Sequence, residues 1–97
     1  MPTYVTLYKY TDKGIGAIKD APKRVDANTK AAAQAGVTVK EALWLQGEWD
    51  FLTITEAADE AIAMAMGVMI AQQGNVRSQT MRAFTKAEME KILAKVS

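Results

Sequence analysis

Ninety-seven residues with no Cys, no His and a net charge of +1, both signs interspersed, exclude several kinds of chemistry. Without Cys there are no disulfides, thiol nucleophiles or thiolate metal sites, and without His the chain lacks both the neutral-pH titrating side chain and the commonest metal ligand. No basic field exists to hold a phosphate backbone, so no nucleic acid is expected, and the length sets one domain over residues 1–97 that buries roughly 60–70% of its surface.

The chain enters a strand at once, with no charged-then-apolar export signal. Its longest apolar run, residues 61–71, is shorter than the roughly 20 residues a bilayer needs. A soluble cytoplasmic protein without a membrane partner is expected. Residues 4–10 alternate, Val5 and Leu7 against Tyr4, Thr6, Tyr8 and Tyr10, which predicts a strand with no plainly polar face. Thr11 and Asp12 offer caps for a helical turn, but Gly14 and Gly16 weaken a helix there. Residues 13–21 therefore read as an irregular or short helical lead-in. Pro22 suits a first helical turn and Asp20 is placed to cap it. The main helix is predicted over residues 22–35, closed by Gly36. Val25, Ala32 and Ala33 fall on its inner stripe, with Lys23, Arg24 and Lys30 on its wet side.

Residues 37–46 alternate again. Val37, Val39, Glu41, Leu43 and Leu45 take one side, and Thr38, Lys40, Ala42, Trp44 and Gln46 the other. Residues 51–56 complete a hairpin around Gly47. A second helix is predicted over residues 57–73, with Asp59 and Glu60 in its first turn, where the helix dipole favours acids. From residue 61 to 71 it carries no polar side chain, although a helix lying on its own sheet should show one wet face. Either its small alanines face solvent or a second surface covers its back. Gly74 ends it, and residues 75–84 form a more polar fourth strand. Thr85 and Glu88 make a capping box for a last short helix through residue 95, with Met89, Ile92, Leu93 and Val96 as its apolar side.

Two βαβ halves joined by a hairpin, with right-handed crossovers, predict an α+β fold. It is the ferredoxin-like βαββαβ arrangement with a C-terminal helix: a four-stranded antiparallel sheet with helices on one face. The opposite face then carries either the Tyr4, Tyr8, Tyr10 set or the Val5, Leu7 set. Both are too apolar for water, and a two-fold partner laying its own sheet against it solves the exposure.

The segments Met1–Thr11, Ala21-Pro22-Lys23-Arg24, Gly47-Glu48-Trp49-Asp50-Phe51 and Gly74-Asn75-Val76-Arg77, with Thr80 and Arg82-Ala83-Phe84, together resemble the GYD-domain proteins. The resemblance covers nearly the whole chain and departs at Trp49, where that family carries its name-giving tyrosine. It implies the dimeric α/β-barrel type of ferredoxin-like fold and supplies no established activity. The turn is also similar to that of the effector-binding domains of Lrp/AsnC regulators, which bind amino acids between subunits. This chain has no helix-turn-helix segment, so it would be a stand-alone version.

The link at Gly47-Glu48-Trp49-Asp50 holds more chemistry than a turn requires. Asp50 and Glu48 read as ligand-binding carboxylates at a subunit seam, or as a turn-stabilising Asp beside a solvated Glu; the second has the stronger turn chemistry behind it. Trp44 and Trp49 line a pocket or anchor an interface, where tryptophan is enriched. Arg77 and Arg82 grip a carboxylate or phosphate with their planar forks, or pair with Asp50 or Glu56. Tyr8, Lys9 and Tyr10 suggest a phenol–amine site, against a plain rim charge for Lys9. The methionines suit adaptable packing rather than a metal site, and no cofactor motif is present.

The residues thus favour a homodimeric or larger homo-oligomeric module that binds a small organic ligand or serves assembly, with its site near residues 47–50 and the subunit interface. The alternative is a cofactor-independent oxygenase, dehydratase or isomerase, with Asp50 or Lys9 as base and Arg77 or Arg82 as clamp.

Overall fold

The computed structural model describes residues 1–96. The elements run β1 (Thr3–Tyr10), α1 (Asp12–Gly16), a 3-10 turn (Ile18–Asp20), α2 (Ala21–Gln34), β2 (Val37–Trp44), β3 (Phe51–Ala57), α3 (Glu60–Gln72), β4 (Val76–Ala83) and α4 (Lys86–Leu93). The four strands form one sheet in the order β2-β3-β1-β4, with every neighbouring pair antiparallel. This is the ferredoxin-like arrangement that the element order predicts.

The sheet places its core on one face. Tyr4 packs with Ala32 of α2, Met66 of α3, Val37 and Ala57. Further along β1, Tyr8 packs with Phe51 and Val76, against Val25 of α2 and Ile70 of α3. The covered face therefore takes the Tyr4, Thr6, Tyr8 set, and the bare face takes Val5 and Leu7. Strand residues alternate sides, so choosing one set fixes the other. The core is thin. Ala57 and Ala32 are its deepest members, and among the described residues no large side chain is fully enclosed. A radius of gyration of 14.7 Å exceeds the roughly 13 Å of a compact chain this long, in keeping with extents of 52 × 31 × 18 Å.

Four local expectations need correction. The alternation of β2 does not persist. A bulge between Val39 and Glu41 lets Val39 and Ala42 pack on the same core, while Leu43 turns to the bare face. In α2, Ala33 is exposed, and Arg24 is half-buried rather than on the wet side. Asp20 precedes α2 in helical conformation and makes no side-chain cap, because the 3-10 turn already leads the backbone in. Asp59 is the N-cap of α3 rather than part of its first turn; its Oδ1 accepts from the Ile62 amide at 3.0 Å. The capping box of α4 forms as predicted.

Gly14 is more than a helix breaker. It is buried where α1 meets the chain entering β4, and a Cβ there would lie 2.0 Å from the Asn75 carbonyl oxygen. The same junction is closed by the Thr11 amide donating to the Asn75 carbonyl (3.0 Å) and the Thr11 hydroxyl donating to the Gly74 carbonyl (2.6 Å). Only glycine permits that approach.

Candidate functional site

The residues singled out from the sequence fall into three groups. The first surrounds the loop between β2 and β3. Gly47 holds a φ of 110°, a conformation that favours glycine. The loop is then tied to the sheet at its base. The Leu45 amide donates to the Asp50 carbonyl, and the Asp50 amide donates to the Tyr8 carbonyl, both at 2.9 Å. Asp50 Oδ2 accepts from the Tyr10 amide at 2.9 Å, so the carboxylate continues the strand pairing where the backbone has turned away. Lys9 lies 3.7 Å from Glu48 and 5.0 Å from the centre of the Trp49 ring. Arg77 stands opposite Lys9 across the β1–β4 pairing. Lys9, Glu48, Trp49 and Arg77 thus gather at one end of the bare face.

The second group lies on the covered face. Tyr8 and Trp44 flank Phe51, with ring centres 5.4 Å and 4.8 Å from it. Trp44 Nε1 donates to the Tyr10 hydroxyl at 2.9 Å. The Tyr8 hydroxyl meets Thr53 Oγ1 at 3.3 Å. Burial pushes the Tyr8 phenol up, against the opposing pull of its threonine hydrogen bonds. It stays neutral at ordinary pH and serves as a structural hydrogen-bonding group. A phenol–amine site of Tyr8, Lys9 and Tyr10 does not form, because Lys9 points to the opposite face from its two neighbours.

Arg82 stands alone at the far end of the sheet. Its Nη2 donates to Glu88 Oε2 at 2.9 Å, its Nη1 donates to the Thr3 and Ala83 carbonyls, and its guanidinium lies 4.4 Å from the Phe84 ring centre. Its ionic partner is the capping-box glutamate of α4 rather than Asp50 or Glu56. Glu88 accepts from the Thr85 amide and from Arg82, which together hold its carboxyl down at about 2. The sequence marked both residues but not their union, which requires β4 and α4 to fold back on each other.

The eight candidates therefore do not converge on one catalytic centre. Four of them, Lys9, Glu48, Trp49 and Arg77, border one end of the bare face. Leu43, Leu52 and Leu7 lie in one row across β2, β3 and β1, and Ile54, Val5 and Met81 lie in the next. Leu43 is 49% and Met81 36% exposed. Arg77 stands at one corner, a row beyond Leu7, and Glu41 at the diagonally opposite corner, in line with Ile54. Neither has an ion-pair partner among the described residues. Elsewhere, Met89 and Leu93 of α4, Val96 after it and Phe84 before it are also exposed.

One residue escaped the sequence reading. Arg24 lines a cavity between α2 and the covered face, and its Nη2 is buried with no partner. The signal was present: Ala21, Arg24, Val25, Asn28 and Ala32 recur at helical spacing and make one face.

A sequence model of the GYD domain family matches residues 4–93. A Thermus thermophilus protein described as a glutamine synthetase and cystathionine beta-lyase binding protein is 29% identical over 90 residues, covering 92% of this chain and 95% of that protein. No solved structure matches the chain at a significant level.

Proposed function

The chain belongs to the GYD domain family, and from that premise we propose that it is a non-catalytic binding module: a homodimer closed through the bare sheet face, which docks on a larger enzyme. The apolar rows of that face carry the reading. Six aliphatic side chains face outward on a sheet whose other side carries α2 and α3. Such a patch is costly in water and suits a self-complementary contact.

The corner charges favour a second copy as the occupant. From strand spacing and rise, Arg77 and Glu41 lie at corners about 14 Å apart across the strands and about 13 Å apart along them. The Leu7–Leu52 row lies near the midpoint. A two-fold axis on the other diagonal sets Arg77 of one copy over Glu41 of the other, twice, and crosses the sheets near a right angle. The flat sheet supplies an area on the order of 450 Å², less than the ~800 Å² per partner of a standard interface. Docking on an enzyme is supported by the Thermus thermophilus relative, whose description names two enzymes that it binds.

Charge reversal tests the dimer. Arg77→Glu and Glu41→Arg are each expected to weaken it by roughly tenfold or more in light-scattering dilution series, and the double variant to recover most of the loss. A wild-type monomer at micromolar concentration overturns the reading. So does a double variant no better than the sum of the singles.

A further inference from the structure

The cavity of about 90 Å³ between α2, α3 and the sheet lies on the opposite side from the bare face. Its body is apolar: Val25, Phe51, Met66, Ile70 and Val76 form much of the wall. One charged side chain reaches it. Arg24 Nη1 donates to the Ala17 carbonyl at 2.9 Å, which anchors the guanidinium. Its Nη2 is buried and finds no acceptor. A buried cationic N–H without an acceptor is costly, and nothing in the packing of α2 compels an arginine there. An apolar pocket with a single anchored, unsatisfied guanidinium has the make-up of a site for an anion with an apolar body.

We infer that this cavity is a binding site for a small monocarboxylic acid with a branched or aromatic tail, its carboxylate on Arg24 Nη2 and its tail among Val25, Phe51 and Ile70. Size sets the limit. One water takes about 10–15 Å³ measured this way, so the space holds about six to nine heavy atoms. Charge sets the class. A lone guanidinium already sharing its other nitrogen with a carbonyl matches one carboxylate, whereas a phosphate dianion needs more donors than Arg24 brings. The inference does not depend on the dimer, since the site uses neither the bare face nor α4.

Methyl NMR on the full chain, with benzoate and 3-methylbutanoate as probes and benzamide as the neutral control, tests it. At least one acid is expected to shift the Val25, Met66 and Ile70 methyl signals saturably in the millimolar range and to raise the Tm. Benzamide should bind at least tenfold more weakly. Arg24→Met should lose the acid by a similar factor while keeping its circular dichroism spectrum. If that variant fails to fold, the acid-against-amide ratio on the wild type decides alone. The inference is overturned if neither acid gives saturable shifts, if benzamide matches the acids, if a folded Arg24→Met retains the affinity, or if the shifts map to Leu7 and Leu52 on the bare face.

Discussion

On its covered side the sheet presents Tyr4, Thr6, Tyr8, Phe51 and Thr53; on its bare side it presents Val5, Leu7, Leu52 and Ile54. The hydroxyls lie under the helices and the aliphatics face outward. Most hydroxyls of the covered side satisfy one another, Thr6 with Thr80 at 3.0 Å and Tyr8 with Thr53 at 3.3 Å, while the buried Tyr4 hydroxyl has no partner. The centre of the bare side has no such network, its charges standing only at the ends. A face that is finished by internal hydrogen bonds belongs to the fold of one chain. A face whose centre is left aliphatic belongs to a contact with something else.

Substitutions on the two faces should therefore separate assembly from folding. The largest effect is expected from Leu7→Glu at the centre of the bare face. The two-fold axis puts two unpaired carboxylates into the seam, so dimer dissociation should rise by about 100-fold or more, read by light scattering against concentration. The Tm of the monomer should barely move, and a collapse of the monomer itself would break the comparison. Gly14→Ala works in the opposite sense. The new methyl meets the Asn75 carbonyl, so folding stability should fall by about 1–3 kcal/mol in urea denaturation. The dimer constant, corrected for the folded fraction, should not change. Thr53→Val leaves the Tyr8 phenol short of its closest hydroxyl partner on the covered face and should cost about 1–2 kcal/mol by the same measurement. Asp50→Ala removes the acceptor of the Tyr10 amide at the strand end. It should cost about 1 kcal/mol, with Asp50→Asn milder because its carbonyl oxygen still accepts.

The smallest effect is a pH dependence confined to α4. Glu88 is held down to about 2 by the Thr85 amide and Arg82. Its support of α4 is fully present above the unfolded carboxyl value near 4.5. It drains away as pH falls through the window from 4.5 toward 2, because protonation then costs the folded form its acceptor. Amide chemical shifts of residues 85–88 should report this transition, and Glu88→Gln should abolish it while leaving the sheet resonances unchanged.

Much of the architecture was legible along the chain. Alternation in residues 4–10 and 51–56, the apolar run of residues 61–71 and the Thr85–Glu88 box specify the elements and their order, because periodicity and caps are local properties. Connection handedness then reduces the sheet to one topology. Locality also sets the limit. The choice between the Tyr and the Val–Leu faces of β1 depends on which side receives α2 and α3, and both patterns were equally apolar. The bulge at Lys40 reversed the second half of β2 without any glycine or proline to announce it. Glycine at residue 14 looked like a weak helix position until the Asn75 carbonyl was brought against it from the far end of the chain. Arg24 looked solvated because arginine usually is, and only the packing of α2 on the sheet put its guanidinium beside a cavity. Composition and periodicity determined that this chain would make a half-covered sheet. Tertiary packing decided which half is covered and which charges it strands, because those depend on contacts between residues far apart in sequence.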